Sequence, residues 1–533
     1  WRVRSNEPGA PLPLLAKLKA DKSLGFLKDY HLRNTLERLA YDAHQNTLSN
    51  DGRGLLHRHL VRGAFEDLFA QFEIGTGPAA EKATLVLEHL ECESGLLLSE
   101  GGDLYGVPHL SYEEYLAGCH LGQQATFHVL AYVHWQRDTG RWREVIFLSL
   151  GRMVRGEGRE LAAGWLNFLL SAAHGERERD TAERQRAAFF AYECLEQMGG
   201  KTALIGVTTV ALPQLWHDLV AGLVGVVEGT ALPVADRLRA GAWLGDLGDP
   251  RMPVTPAEWQ TEWARRTELF GAPTGYWCSV REGAYQIGRW EAEEQPAALQ
   301  LPAFWLARFP LTVAQYAPFV AEGYGKNAER WWTPQGWQWK TKRQRTAPSG
   351  WNDPKYSGAN QPVIGISWYE ATAFFAWLTE QVDAKDYVVR LPTEAEWEVA
   401  AAYDAQMQRQ PYPWGDEEPT PERAIYDASK LSHPAPVGCC PAGTAACGAL
   451  DMAGNVWEWT ASSHEGYPAQ SGTSIKDFTP DADDVPLRGG YYNSSSTNVR
   501  CGARHRSRPG VGLDLYYGGG VRVCLAPRSS HSR

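Results

Sequence analysis

The chain has 533 residues, of which 44% are hydrophobic and 22% charged, with a formal net charge of -11. This is the composition of a folded protein with sizeable cores, about two to four domains at this length, and it excludes collagenous and disordered classes. The acidic balance offers no clustered Lys and Arg for a phosphate backbone or an anionic membrane, so neither nucleic acid nor membrane is expected as a partner.

Nine cysteines lie between Cys92 and Cys524, an odd number without a short-range framework, which points to a reduced, cytoplasmic protein. No signal segment precedes the first apolar run, and the chain opens at Trp1, which reads as a fragment of a longer product. The most apolar stretch, 203–227, is broken by Pro213, His217 and Asp218 and reads as buried helices, not a membrane span.

From 14 to about 251 apolar residues recur at helical spacing, as in Leu32, Leu36, Leu39 and in Val61, Phe65, Leu68, Phe72. Gly200-Lys201-Thr202 ends like a phosphate loop, but Leu195 occupies the first glycine's position and the preceding pattern is helical, so a Gly-Gly helix stop is expected. Gly248, Asp249, Pro250 and Pro253 mark a seam at 245–273. Beyond Pro273 the chain is rich in Gly, Pro, Trp and Tyr with short extended runs, and no regular repeat is present.

Leu104-Tyr105-Gly106-Val107-Pro108-His109-Leu110-Ser111-Tyr112-Glu113-Glu114-Tyr115-Leu116-Ala117 carries Ser111 and Glu114 at capping-box spacing, with His109 as hydrogen-bonded scaffold. The segment resembles the winged-helix end of NACHT-type signal-transduction NTPases, over about residues 30–150. That resemblance implies a nucleotide-binding module upstream of Trp1 as a partner.

In the second half, Ser367-Trp368-Tyr369-Glu370 opens a helix with an aromatic face. Arg390-Leu391-Pro392-Thr393-Glu394-Ala395-Glu396 joins a strand at 387–389 to a helix capped by Thr393 and Glu396. Asp451-Met452-Ala453-Gly454-Asn455-Val456-Trp457-Glu458-Trp459 sets two carboxylates and several carbonyls around a glycine turn, suited to a hard cation or to Asx hydrogen bonds.

The runs 309–320, 362–378, 390–400, Tyr412-Pro413-Trp414-Gly415-Asp416, 451–459 and Arg488-Gly489-Gly490 resemble, in order, the motifs of the formylglycine-generating enzyme family. The resemblance implies a C-type-lectin-like fold and hence an α+β chain: an all-α, winged-helix and helical N-terminal half followed by a formylglycine-generating-enzyme-like domain. The expected organisation is 1–150 winged-helix-like and helical, 151–270 helical with a linker, 271–525 the lectin-like domain with a variable region at 488–523, and 526–533 a tail.

The family's copper chemistry needs two cysteines after Arg-Gly-Gly; here 491–499 has none and Cys501 stands alone. No copper, no catalytic residue and no enzyme activity are therefore expected, with a formylglycine-generating-type oxidase as the competitor. The histidines His120, His128 and His134 lack the spacing of the family's iron branch. The resemblance further implies a structural calcium ion held by Asp451, Gly454, Val456 and Glu458, while a second site has Ile425 where the family has asparagine.

Residues 491–520 are dominated by Tyr, Asn, Ser, Gly, His and Arg, a paratope-like mixture or a plain polar surface loop. Between Arg488-Gly489-Gly490 and Gly520-Val521-Arg522 it resembles the variable segment of diversity-generating-retroelement proteins. That resemblance implies a diversified surface for an unknown protein or other ligand, with contacts at Tyr491, Asn493, Ser494, Ser495, Ser496, Asn498, His505, Arg506, Ser507, Arg508, Leu513, Asp514, Tyr516 and Tyr517. Arg488, Gly489, Gly490, Arg500, Arg504 and Arg522 are expected to hold it. A NACHT-linked sensor with one fixed ligand is the remaining alternative.

Overall fold

A computed structural model of the chain describes residues 14–527 apart from 20–23, 26, 49–51, 73–75, 175–176, 289, 291–294, 384–386, 466, 468–483 and 512–517. The chain divides into two compact units, 1–176 with 190–216, and 177–189 with 217–533. This boundary falls ahead of the turn-rich 245–273 stretch because the helices Val234–Leu247 and Pro256–Arg265 bury side chains in the second unit. Arg237 donates to the Cys439 carbonyl at 2.8 Å, and Trp259 lies in the tryptophan-rich core.

The first unit is mostly helical. Leu32, Leu36, Leu39, Val61, Phe65 and Leu68 are buried together, as their 3.6-residue spacing requires. A small antiparallel sheet accompanies the helices, with strand order Thr47–Leu48, Gly54–His57, Leu104–Gly106, Leu98–Gly101. The helix Leu110–Leu121 starts earlier than the Ser111–Glu114 spacing predicts. His109 is its cap, with Nδ1 accepting the Ser111 N–H at 3.4 Å. Glu113, not Glu114, carries the local polar bonds: it is fully buried, holds His44 Nδ1 at 2.7 Å and accepts the Gly54 N–H at 2.8 Å. Gly199 and Gly200, at φ 100 and 77, end the helix Thr181–Met198 as a helix stop.

The second unit holds two four-stranded sheets. In the first, Tyr387–Arg390, Cys524–Pro527, Phe304–Ala307 and Trp277–Val280 run antiparallel in that order, so the last described strand lies inside the sheet. In the second the order is Arg504–Ser507, Val485–Arg488, Trp457–Trp459, Gly519–Gly520, and only the last pairing is parallel. The capping box expected at Thr393 and Glu396 forms and heads Glu394–Ala402, and a second, Ser367 Oγ with Glu370, heads the expected aromatic-faced helix Trp368–Gln381. Trp305, Trp368, Phe374, Trp377, Trp457 and Trp459 fill one core between the sheets and helices. The α+β class is thus the observed one. No helix among the described residues is long and apolar enough to cross a membrane.

Candidate functional site

The strand Val485–Arg488 delivers the chain to the candidate segment, and its last residue is anchored on a single helix. Arg488 is fully buried; Nε donates to Glu394 at 2.8 Å, Nη2 to Glu398 at 2.7 Å and Nη1 to the Cys501 carbonyl at 2.9 Å. Glu394 and Glu398 stand four apart on Glu394–Ala402, hence on one face. Arg504 adds a second guanidinium to Glu394 at 2.6 and 2.9 Å, and Arg409 one to Glu398 at 2.8 Å. Buried charges persist when paired and hydrogen-bonded, and here Arg488, Glu394 and Glu398 are all paired within the network.

The two glycines that follow are required by space as well as by dihedral angle. Gly489 has φ 97 and Gly490 φ 80, and a Cβ on Gly490 would stand 2.7 Å from the Asn498 carbonyl oxygen. The chain turns sharply there and brings 491–499 back over its own start. At the far end Arg522, also fully buried, is bidentate to Glu458 at 2.8 to 3.0 Å and donates to the Ala307 and Leu450 carbonyls.

On this pinned frame Asn493, Ser495, Asn498, Arg506 and Arg508 are exposed, and Tyr491, Ser496, His505 and Ser507 are half-buried. Tyr491 meets Tyr492 edge to face at 5.1 Å, and His505 lies over Trp457 at 5.5 Å, where burial lowers its pKa. Ser494 corrects the expected contact set: it is 3% exposed, its Oγ accepts the Tyr491 N–H at 3.0 Å and its carbonyl the Asp427 N–H at 3.0 Å. It holds the loop and does not face solvent. Arg500, placed in the scaffold by the sequence, is exposed. The expected contacts Leu513, Asp514, Tyr516 and Tyr517 lie outside the described residues.

Sequence reasoning missed the anchors Glu394 and Glu398, which share one face of their helix, and gave Glu458 to a cation where it holds Arg522. It also missed Trp339, whose Nε1 donates to the Gly510 carbonyl at 2.7 Å and so ties down the end of the segment.

The expected calcium residues share one turn, with Asp451 and Asn455 at φ 56 and 64. Asp451 Oδ2 accepts the Gly438 N–H at 2.7 Å, and burial pushes its carboxyl up to about 6. Glu458 has both oxygens engaged by Arg522, and Oε2 also by Trp397 Nε1 at 2.7 Å. As arranged, the four residues do not fit a calcium ion, because Glu458 would first have to release its guanidinium. Cys501 is buried and burial raises its pKa, so it is a poor source of thiolate for copper. No group of three or more His, Cys, Asp and Glu among the described residues is placed to hold a metal.

Residues 272–523 match the sulfatase-modifying factor enzyme 1-like domain family. The chain is 40% identical over 187 residues to hercynine oxygenase of Mycobacterium tuberculosis, covering 33% of this chain and 41% of that protein. It is 32% identical over 234 residues to the Mycolicibacterium smegmatis hercynine oxygenase, covering 40% and 52%. The chain therefore spans about two fifths to one half of these oxygenases. It is 30% identical over 247 residues to the formylglycine-generating enzyme of M. tuberculosis, covering 38% of this chain and 75% of that enzyme. Among solved structures, Treponema denticola variable protein 1 aligns with 47% of this chain and 95% of its own at 20% identity and a TM-score of 0.35. The expectation that the chain is not an enzyme is overturned by these relatives, which carry enzyme names. The absent cysteine pair removes one way of building a copper site; it does not remove the chain from an enzyme family. The domain of 272–523 resembles the C-type-lectin-like fold, and the chain belongs to the formylglycine-generating enzyme family.

Proposed function

We propose that the C-terminal domain recognises a ligand with the side chains of 491–508, on a scaffold shared with enzymes, and that these side chains differ between copies of the gene. The observation that carries this reading is the contrast between support and display. Arg488 and Arg522 are sealed and fully paired, while Asn493, Ser495, Asn498, Arg506 and Arg508 between them are exposed. A frame fixed by buried ion pairs tolerates replacement of outward side chains, and Ser, Asn, Tyr and Arg suit adaptable recognition. In this reading the helical half couples the surface to an NTPase module, as its winged-helix resemblance implies.

Sequencing the coding region for 480–525 and the DNA just downstream, across a cell population, tests it. Variation confined to the outward positions, with a near-repeat differing mainly at adenines, is the expected result. An invariant locus without a repeat overturns diversification and leaves one fixed ligand.

A second reading is oxygen-dependent chemistry of the kind the relatives' names denote, favoured by the 40% identity to a hercynine oxygenase. Dioxygen uptake by the purified chain with hercynine, in the presence of iron or copper salts, supports it; uptake no faster than without protein counts against it.

A further inference from the structure

The helix Val234–Leu247 lies close against the C-terminal domain through two glycines one turn apart. A Cβ on Gly241 would stand 2.7 Å from the Cys439 sulfur and 2.9 Å from Pro436, and one on Gly245 would stand 3.0 Å from the Asn360 backbone nitrogen. The neighbouring stripe of the same helix, Leu238, Ala242 and Asp246, has four-residue spacing and is left lining a cavity of about 440 Å³. Segments 354–361 and 431–436 form the other walls, and none of 491–508 takes part.

Three charged side chains line the cavity: Arg239, which pairs with Asp236 at 3.8 Å and lies over the Phe189 and Trp243 rings, and two of opposite sign, Asp246 and Lys355. Asp246 and Lys355 both line it and both are exposed, and among the described residues neither charged group has an ion-pair partner. The Lys355 ammonium has the Tyr356 ring at 5.2 Å. Had the two been close enough to neutralise each other, the cavity would carry no ligand signal; standing apart, they offer one site for a cation and one for an anion. Leu238, Ala242 and Leu431 supply an apolar surface in the same cavity.

His433 adds a polar ring to the lining. Its Nδ1 lies 2.9 Å from the Pro434 carbonyl and 3.2 Å from Gln361 Nε2, which also reaches the Pro434 and Lys355 carbonyls at 2.8 and 3.2 Å. A mostly apolar cavity with few polar groups, within the usual range of about 300–1,000 Å³, is the form of a small-molecule site.

We propose that this cavity binds a small apolar zwitterion of the free amino acid or dipeptide class, its ammonium on Asp246 and its carboxylate on Lys355. Both charged groups are solvated, so the affinity is modest, with a Kd on the order of 1 mM. This site is independent of the 491–508 surface, and its failure leaves that reading untouched.

The test is saturation-transfer NMR of the full chain with leucine and leucyl-leucine as probes, each beside its N-acetylated and its amidated form. The expected result is transfer to at least one zwitterion, its loss when Ala242→Trp fills the cavity, and weakening by at least about threefold with Asp246→Asn, with Lys355→Gln or when either probe charge is capped. Asp246→Lys, an exposed replacement, gives the same loss should Ala242→Trp fail to fold. No transfer with either probe, or transfer that survives Ala242→Trp and Asp246→Lys, overturns the proposal.

Discussion

The Arg488 guanidinium donates to Glu398 at 2.7 Å with both side chains fully sealed from solvent. One arginine on the strand that opens the candidate surface thus binds both glutamates on one face of a helix, and the start of that surface is set by a buried ion-pair network.

Removing one partner of such a network leaves uncompensated buried charge. Arg488→Met is expected to cost about 3–5 kcal/mol, because Glu394 and Glu398 lose their central cation. Arg508→Ala, at an exposed side chain, is expected to stay within about 0.5 kcal/mol. Urea unfolding of the two variants beside the parent measures the difference.

Ser494 separates frame from display. Ser494→Ala deprives the Tyr491 N–H of its acceptor and is expected to cost about 1–3 kcal/mol. Asn493→Ala and Ser495→Ala are expected to be near neutral. If thermal melting finds Ser494→Ala as silent as its neighbours, the division is wrong.

Stability in the first unit carries a histidine signature. His134 stacks on Trp142 at 3.7 Å, its Nε2 lies 2.6 Å from the Tyr41 hydroxyl and its Nδ1 is buried without a partner. Burial, with Arg137 and His44 adding to it, lowers its pKa from 6.5 to about 4. The unfolded chain therefore takes up the proton first as pH falls, so this contribution declines from about pH 6.5 to about 4 and is level above that window. His134→Phe is expected to flatten the slope of melting temperature against pH in that window; an unchanged slope would show that other groups set it.

The Glu458–Arg522 pair makes a statement about metal. With Glu458 neutralised by Arg522, EDTA is expected to move the melting temperature of the full chain by less than about 2 °C, under 1 kcal/mol for a domain of this size. A larger drop, reversed by calcium, would show that the ion displaces the arginine and that the turn at 451–458 is a binding site.

Local chemistry was legible in the sequence wherever neighbouring residues settle it. Thr393 and Glu396 are three apart and close the capping box that their spacing suggests. The strand expected at 387–389 and found at 387–390 is local in the same sense. The first unit's helix cap was misplaced by two residues because His109 competes with Ser111 for the role, and side-chain geometry, not spacing, decides between them. Ser494 reads like Ser495 in composition, yet one faces inward to Tyr491 and the other outward, and only the fold of 490–499 back over itself separates them.

Sequence alone thus determined the order of elements, the two-half character of the chain and the polar segment between Arg488 and Arg522, because periodicity, caps and turn residues act over a few positions. Tertiary structure alone decided that Arg488 meets Glu394 and Glu398 from about ninety residues away, that Glu458 answers Arg522, and that Asp246 and Lys355 share a cavity without pairing. Those pairings depend on which side chains lose their water together, and burial is a property of the packed chain, not of any short stretch of it.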